Sequence, residues 1–297
     1  METGLFFALL AALTFGITNV LIRKGVYHAG ETFTATLISI LIGVGFFAFL
    51  VLVTEGWRDL IIFSWQDYLK LGIAGVIHLV LGRRFAFTCF RLIGANRASA
   101  ILRSQMLYPV VLGIIILYEP LTIYLVLGFL CLVIGATLVS IEKKQKLPTD
   151  DNSKQLAKGI AAGLAGGLFW GISGVIVKPI VEQVGSPFAA AFVSYAGAVL
   201  VMASLLVTGS QREQLIHLNR DAIVALVAGG LFSAVAILLK YTALIHSPVS
   251  LVEPIIATSG IFVFLLSFLL NRSIEVMTWR VFLGILFATT GAFLFFQ

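Results

Sequence analysis

Long apolar stretches alternate with short polar ones along the whole chain of 297 residues. A helix needs about 20 mostly apolar residues to cross the hydrocarbon core of a bilayer. Turn signals and clusters of charge divide the chain into ten stretches of about this length. The pattern therefore predicts an all-α integral membrane protein with ten transmembrane helices. The predicted spans are residues 4–22, 32–53, 69–90, 95–117, 121–141, 157–177, 187–208, 222–244, 250–270 and 277–296.

One polar interval is longer than the others and divides the chain in two. Residues 142–156 include the run Glu-Lys-Lys-Gln-Lys, Pro148 and two aspartates, which predicts a solvated linker. It separates a first five-helix repeat, residues 1–141, from a second, residues 157–297. Because five is an odd number, the second repeat enters the membrane from the opposite face. We therefore expect inverted repeats, with a substrate site near the midplane where they meet.

The two halves are also related in sequence. A shift of 155 residues aligns Gly4–Gly25 with Gly159–Ile180 without a gap, and six of the 22 pairs are identical. Near the ends of the halves, Leu127–Leu138 and Leu283–Leu294 share six of twelve residues. The glycines fall in register, which an apolar composition alone does not produce. Two related apolar halves are the usual build of a secondary transporter.

Composition supports lipid as the solvent of this chain. The sequence is 60% hydrophobic and 11% charged, with a mean hydropathy of +1.06. Soluble domains carry about 25% charged residues. The net charge of +6 does not indicate nucleic acid, because Lys and Arg of membrane proteins collect in cytoplasmic loops. Thirteen basic residues fall on the linker face and four on the other, which predicts a cell-membrane protein with a cytoplasmic linker.

Several short motifs occur in a recognisable order. Phe15-Gly16-Ile17-Thr18 is echoed by Phe169-Trp170-Gly171-Ile172-Ser173. Arg91-Leu92-Ile93-Gly94-Ala95 precedes the fourth span, which holds Pro109 and is followed by Glu119-Pro120-Leu121-Thr122. Over the whole chain these features resemble the drug/metabolite transporter superfamily and, within it, the EamA-type permeases. The resemblance implies a secondary transporter of small organic solutes, often an exporter of amino acids or metabolites.

The second half departs from that family pattern at two places. Ile245-His246-Ser247-Pro248 stands where the Gly-Ala turn is expected, and Asn271-Arg272-Ser273-Ile274-Glu275 replaces the Glu corner. Arginines inside the spans are a further difference. The resemblance therefore implies the fold and the class of activity, and it does not imply one substrate.

Ionisable side chains inside the spans are the candidates for a solute site. Each costs about 2.5–3.5 kcal/mol near the bilayer centre, so it needs a partner or a wet cavity. The ionisable candidates are His78, Arg83, Arg84, Arg103, Lys178, Lys240 and Glu253. The predicted substrate-binding residues are Asn19, His78, Arg84, Arg103, Trp170, Lys178 and Glu253.

The arginines differ in their expected surroundings. Arg83 and Arg84 are adjacent, about 100° apart on a helix, so they cannot both face one cavity. Arg84 shares a helix face with Arg91, and it either faces the cavity or extends to the interface. Arg103 is about eight residues into the fourth span, too deep to extend easily to water. We expect Arg103 to contact an anionic group.

The other candidates each have a structural and a functional interpretation. His78 either binds solute or carries a proton, or it forms an ordinary hydrogen bond between helices. Glu253 either pairs with a basic residue or acts as a proton site, and the adjacent proline loosens the helix there. Trp170 offers a stacking face and Asn19 offers donors and an acceptor, although both types also occur in cores. Lys178 either contacts solute or marks the interface.

The balance of these charges predicts the class of solute. Five basic candidates against one glutamate favour an anionic or zwitterionic solute, such as an amino acid. No phosphate loop is present in the sequence, so ATP drive within the chain is not expected. The sequence predicts alternating access by rocking of the two halves, with protons as a candidate coupling ion. A flippase for a lipid-linked substrate, or an accessory membrane subunit, is the alternative, and it would have a lateral opening.

Enzymatic chemistry is not expected from the sequence. The four histidines are scattered, and no His-Glu-x-x-His or Gly-x-Ser-x-Gly motif occurs. We therefore expect no catalytic residues, no metal and no cofactor. The expected partners are a small-molecule substrate and the lipid bilayer, and not nucleic acid. Both a monomer and a homodimer are compatible with the sequence.

Overall fold

The computed structural model describes residues 2–29, 32–93, 98, 101–102, 105, 107–118, 122–140, 151–207, 220–270 and 279–294. These residues form helices joined by short turns, with no strand among them. In chain order the helices are α1 (Glu2–Ala29), α2 (Thr32–Val53), α3 (Trp57–Ile62), α4 (Trp65–Gly75), α5 (Arg83–Ile93), α6 (Leu107–Ile116), α7 (Ile123–Ser140), α8 (Asp151–Val184), α9 (Pro187–Val207), α10 (Arg220–His246), α11 (Val249–Ala257), α12 (Ser259–Leu270) and α13 (Trp279–Leu294). A π-helical segment, Val76–Gly82, joins α4 to α5 without a break.

Six helices in the described parts of the chain are long and apolar enough to cross a membrane. They are α1, α2, the continuous α4–α5 span, α8, α9 and α10. Helices suit this environment because the bilayer core offers no water to hydrogen-bond the backbone, which must be satisfied within the segment. The expectation of an all-α membrane fold is confirmed for these residues.

Polar residues set two helix starts that differ from the predicted ones. The α4–α5 span begins at Trp65, because Ser64 and Asp67 form a capping box. The Ser64 side chain accepts from the Asp67 N–H at 3.2 Å, and the Asp67 carboxylate accepts from the Ser64 N–H at 2.9 Å. Helix α8 begins at Asp151, inside the interval 142–156 expected for the linker. Its exposed first turns carry Lys154 and Gln155, which are polar and have a high helix propensity.

The ninth predicted span, 250–270, is not one helix. It divides into α11 and α12 at Thr258. Pro254 lies inside α11 and supplies no N–H to the helix. Four residues later, at Thr258, the backbone forms a turn. The Thr258 N–H bonds to the carbonyl oxygen of Ile255, three residues earlier, at 3.0 Å, instead of continuing the α-helical pattern. The Thr258 hydroxyl donates to the same oxygen at 2.6 Å.

Helix packing interleaves the two sequence halves. In the first bundle, α1 packs along α10, α11 and α12, and α2 packs on α10. In the second bundle, α8 packs along the α4–α5 span and α6, and α9 packs on α4. The two sets of contacts are equivalent: replacing each helix by its counterpart in the other sequence half turns the contacts of the first bundle into those of the second. Each bundle therefore combines the first two helices of one half with the third and fourth of the other half.

Small residues permit the close contacts within these bundles. Gly16 of α1 lies against α12, and a Cβ there would come within 2.5 Å of the Phe262 Cβ. The repeat-related Gly171 of α8 lies against α6, and a Cβ there would come within 2.8 Å of the Tyr108 Cβ. The 155-residue offset therefore places equivalent glycines at equivalent helix crossings.

Candidate functional site: a polar cavity between the bundles

A cavity lies between the two bundles. It encloses about 690 Å³ of space between protein atoms, its open side included. One part of the wall is apolar and mostly aromatic, formed by Phe15, Ile22, Phe87, Trp170 and Ile256. The rest of the wall is polar, so the cavity suits an organic solute that has both an apolar body and a charged group.

Arg83 is the buried cation of the second bundle's wall. Its side chain is 6% exposed and lines the cavity. Nη1 donates to Ser39 Oγ at 2.5 Å, while Nη2 donates to Ser233 Oγ at 2.6 Å and to Tyr195 Oη at 3.2 Å. All three partners are neutral hydroxyls. No carboxylate of the described residues forms an ion pair with Arg83, although burying an unpaired charge is costly.

The π-helical segment explains why Arg83, and not Arg84, faces the cavity. In an α-helix, His78 and a residue five positions later are about 140° apart around the axis. In a π-helix the i→i+5 hydrogen bond brings them closer to one face, and such segments often occur at functional sites. His78 and Arg83 consequently both line the cavity. Arg84 is exposed and is not among the residues that line it, so its predicted role in solute binding stays a prediction without support from this cavity.

Glycines make room for the aromatic groups around this wall. A Cβ at Gly43 of α2 would overlap the ring of Tyr195, whose hydroxyl accepts from Arg83. Phe47, one turn further along α2, also packs against that ring, with centroids 5.2 Å apart. Likewise, a Cβ at Gly82 would overlap the indole of Trp170. The absence of side chains at these two positions therefore leaves room for the ring that contacts Arg83 and for the indole.

A buried ion pair lines the same cavity. Lys240 Nζ of α10 is 2.5 Å from Glu253 Oε1 of α11, and the two side chains are 3% and 4% exposed. Gly174 of α8 accommodates the carboxylate, since a Cβ there would overlap Glu253 Oε1. Lys240 lies seven residues after Ser233 on α10, which is two turns or about 10 Å along the axis. The ion pair and the arginine therefore occupy different depths of the cavity.

His78 is held by a short chain of hydrogen bonds to α8. The Ser173 hydroxyl donates to the Trp170 carbonyl oxygen at 2.7 Å. Its single proton is thereby used, so His78 Nδ1 donates to Ser173 Oγ at 2.7 Å. The Trp170 indole N–H donates to the His78 carbonyl oxygen at 3.1 Å. This chain of hydrogen bonds uses the Nδ1 atom of His78 and not its Nε2 atom.

The structure brings together part of the predicted set. Asn19, His78, Trp170 and Glu253 line the cavity. Lys178 does not, because its buried ammonium pairs with Glu182 at 2.8 Å, four residues further along α8. Arg103 lies outside the described residues.

Three residues that bind Arg83 were not predicted from the sequence. Single hydroxyls in apolar helices carry no periodic signal, so Ser39, Tyr195 and Ser233 did not stand out. The repeat does contain a partial signal for two of these serines. The offset of 155 residues that relates the two halves pairs His78 with Ser233 and Ser39 with Ser194. Ser194 accepts from the Tyr241 hydroxyl at 3.4 Å.

The EamA-like transporter family matches residues 2–141 and again residues 157–297, which together cover almost the whole chain. The chain belongs to the EamA-like transporter family. The resemblance inferred from the motifs is thereby confirmed. Six helices among its described residues are able to span a bilayer, so this family member is a multi-pass membrane protein of a transporter family.

Solved structures support the fold of this family member. A crystal structure described only as that of a protein superposes with a TM-score of 0.74 at 16% sequence identity. The match covers 97% of this chain and 94% of the other. At this identity the likeness concerns the fold alone. No curated protein matches the chain.

Proposed function

We propose that this EamA-family protein is a secondary transporter that moves a small anionic or zwitterionic organic solute, such as an amino acid, across the cell membrane. The cavity between the bundles is the proposed binding site. The solute's acidic group contacts Arg83, and its body lies against the aromatic wall that includes Phe15 and Trp170. The proposal extends the family assignment, which concerns transport of small molecules in general.

The observation that carries the proposal is that no carboxylate of the described residues pairs with the charge of Arg83. Among the described residues of the cavity wall, Lys240 is neutralised by Glu253, whereas Arg83 has only hydroxyl partners. An arginine offers parallel N–H donors that match the two oxygens of a carboxylate or phosphate. A solute anion would supply the missing counter-charge, and the buried site would strengthen that attraction.

We further propose that access alternates by rocking of the two interleaved bundles. The sequence alone suggested movement of one half against the other. The observed packing favours a different division, because each bundle takes helices from both halves. Ten transmembrane helices in two inverted five-helix repeats, 1–141 and 157–297, would account for this exchange symmetry, with the linker between them in the cytoplasm. Protons remain a candidate coupling ion, with His78 and Glu253 as candidate carriers on the wall.

The test is counterflow in proteoliposomes with three pools of labelled metabolites, sorted as anions, zwitterions and cations. We expect exchange of the anionic or the zwitterionic pool and none of the cationic pool. Arg83→Gln should abolish that exchange, because a neutral amide replaces the charge that binds the acidic group. Arg84→Gln is the matched control: the same change at the neighbouring, exposed position should leave the exchange rate unchanged.

Other outcomes would redirect the proposal. Exchange of the cationic pool alone would refute the role of Arg83. No exchange of any pool by folded protein would favour the alternative, a flippase for a lipid-linked substrate or an accessory subunit. Equal losses in Arg83→Gln and Arg84→Gln would show that the two arginines act through the stability of the helix and not through the cavity.

A further inference from the structure

We propose that Arg83 also acts as a latch between the two bundles, and that the protein is therefore an exchanger that reorients readily with solute bound and slowly when empty. This inference rests on the proposed transport function and adds its kinetic mode. It predicts tight coupling between entry of one solute molecule and exit of another.

The hydrogen bonds of Arg83 cross from one bundle to the other. Arg83 lies on α5 of the second bundle, while Ser39 lies on α2 and Ser233 on α10 of the first. Its third partner, Tyr195, lies on α9 in its own bundle. Rocking of the bundles against each other would separate Arg83 from the two serines. The empty protein must therefore break both bonds before the cavity can open to the other face.

A bound anion would remove this restraint. An ionised acceptor adds the attraction between opposite charges to the arginine's hydrogen bond, which a serine hydroxyl does not supply, and the two-oxygen geometry matches the guanidinium. A carboxylate or phosphate in the cavity would thus take over the N–H groups that now bind the serines. Ser39 would not be stranded, because its hydroxyl already donates to the Thr36 carbonyl oxygen at 3.0 Å. Binding therefore exchanges cross-bundle bonds for bonds to the solute.

The expected size of the effect follows from the number of bonds. A hydrogen bond to a charged group contributes a factor of about ten or more to an equilibrium. Two such bonds cross the bundles, so the empty protein should reorient slower than the loaded one by about 100-fold if both break in the transition state. Each serine hydroxyl should account for about tenfold of that ratio.

The test compares two fluxes of the solute pool that exchanges in the counterflow assay. Vesicles loaded with unlabelled solute report exchange, and empty vesicles report net uptake. In the wild type, exchange should exceed net uptake by at least about tenfold. Ser39→Ala and Ser233→Ala should each raise net uptake and lower the ratio of exchange to net uptake severalfold. Ser204→Ala removes an exposed hydroxyl that bonds only to its own helix, and it should leave the ratio unchanged.

Arg83→Lys is a second variant that does not depend on the serines. An ammonium keeps the positive charge but cannot bond to both serines through separate nitrogens. It should lower the exchange rate, because the two-oxygen match to the solute is lost, and it should also lower the ratio of exchange to net uptake. An unchanged ratio in Arg83→Lys and in the serine variants would overturn the latch and leave the transport function standing. No flux of either kind in the wild type would overturn the transport function, and the latch with it.

Discussion

The buried ion pair between Lys240 and Glu253 offers a quantitative test of the site's architecture. Its atoms are 2.5 Å apart, and both side chains are almost fully buried. Removing one partner of such a pair leaves an uncompensated buried charge and costs about 3–5 kcal/mol. We therefore expect Lys240→Met and Glu253→Gln each to lower the free energy of unfolding by that amount. The measurement is the folded fraction in mixed micelles as the proportion of SDS rises.

The double variant separates charge from packing. When both charges are absent no charge is stranded, and the new buried amide without a partner costs about 1–3 kcal/mol, so Lys240→Met combined with Glu253→Gln should lose far less stability than the two single variants added together. The coupling energy of the cycle should thus be several kcal/mol. The pair between Arg58 and Glu55 is the control, since both side chains are more than 60% exposed at 2.9 Å separation. Glu55→Gln should cost less than about 1 kcal/mol.

The pH dependence of the single variants has opposite signs. In Lys240→Met the stranded group is a carboxylate, and protonation at lower pH removes its charge, so the destabilisation should shrink as the pH falls. In Glu253→Gln the stranded group is an ammonium, so the destabilisation should shrink as the pH rises. If Lys240→Met cost no more than Glu55→Gln at any pH, the inferred burial of this ion pair would be wrong.

Two further substitutions test the close contacts of the cavity wall. Gly174→Ala introduces a Cβ where the buried carboxylate now lies, so it should reduce exchange and cost about 1–3 kcal/mol of stability. Gly45→Ala is its control: nothing lies within 4 Å of the new Cβ, and helix propensity should make it neutral or stabilising by up to about 1 kcal/mol, as measured by thermal unfolding. Trp170→Phe removes the indole N–H bonded to the His78 carbonyl, and the solute concentration for half-maximal exchange should rise severalfold. Trp57→Phe on the exposed surface should leave that concentration unchanged; equal effects of the two would contradict the place of the indole in the site.

The site could be predicted only in part, and its arginines show why. The sequence identified Arg83 and Arg84 as an unusual pair and established that both could not face one cavity. Choosing between them required the rotation of the helix, which Val76–Gly82 changes by forming a π-helix. Regular α-helical spacing would not place His78 and Arg83 on one face. Hydrogen bonding between local backbone groups, invisible in side-chain patterns, decided which arginine became buried.

The partners of the charged groups were likewise beyond the sequence. One of the two interpretations of Glu253 was a pair with a basic residue, and the structure identifies Lys240 on the preceding helix. The adjacent Pro254 suggested a loosened helix, but the break occurs at Thr258. A proline removes one backbone hydrogen-bond donor, whereas the residue at which the helix ends depends also on the helices packed against it. The serines that bind Arg83 could not be selected from the many hydroxyls in apolar helices.

By itself, the sequence determined the solvent, the secondary structure and the two-part plan of this protein. Apolar stretches of membrane-spanning length leave a backbone no alternative to helix in lipid, and aligned glycines reveal the repeat. Only the tertiary structure decided that the bundles draw helices from both halves, and that Arg83, His78 and the ion pair share one cavity. Helix order along the chain does not fix which helices pack together. Which helices pack together depends on the close helix crossings at the repeat-related Gly16 and Gly171, where the absence of a side chain lets two helices approach.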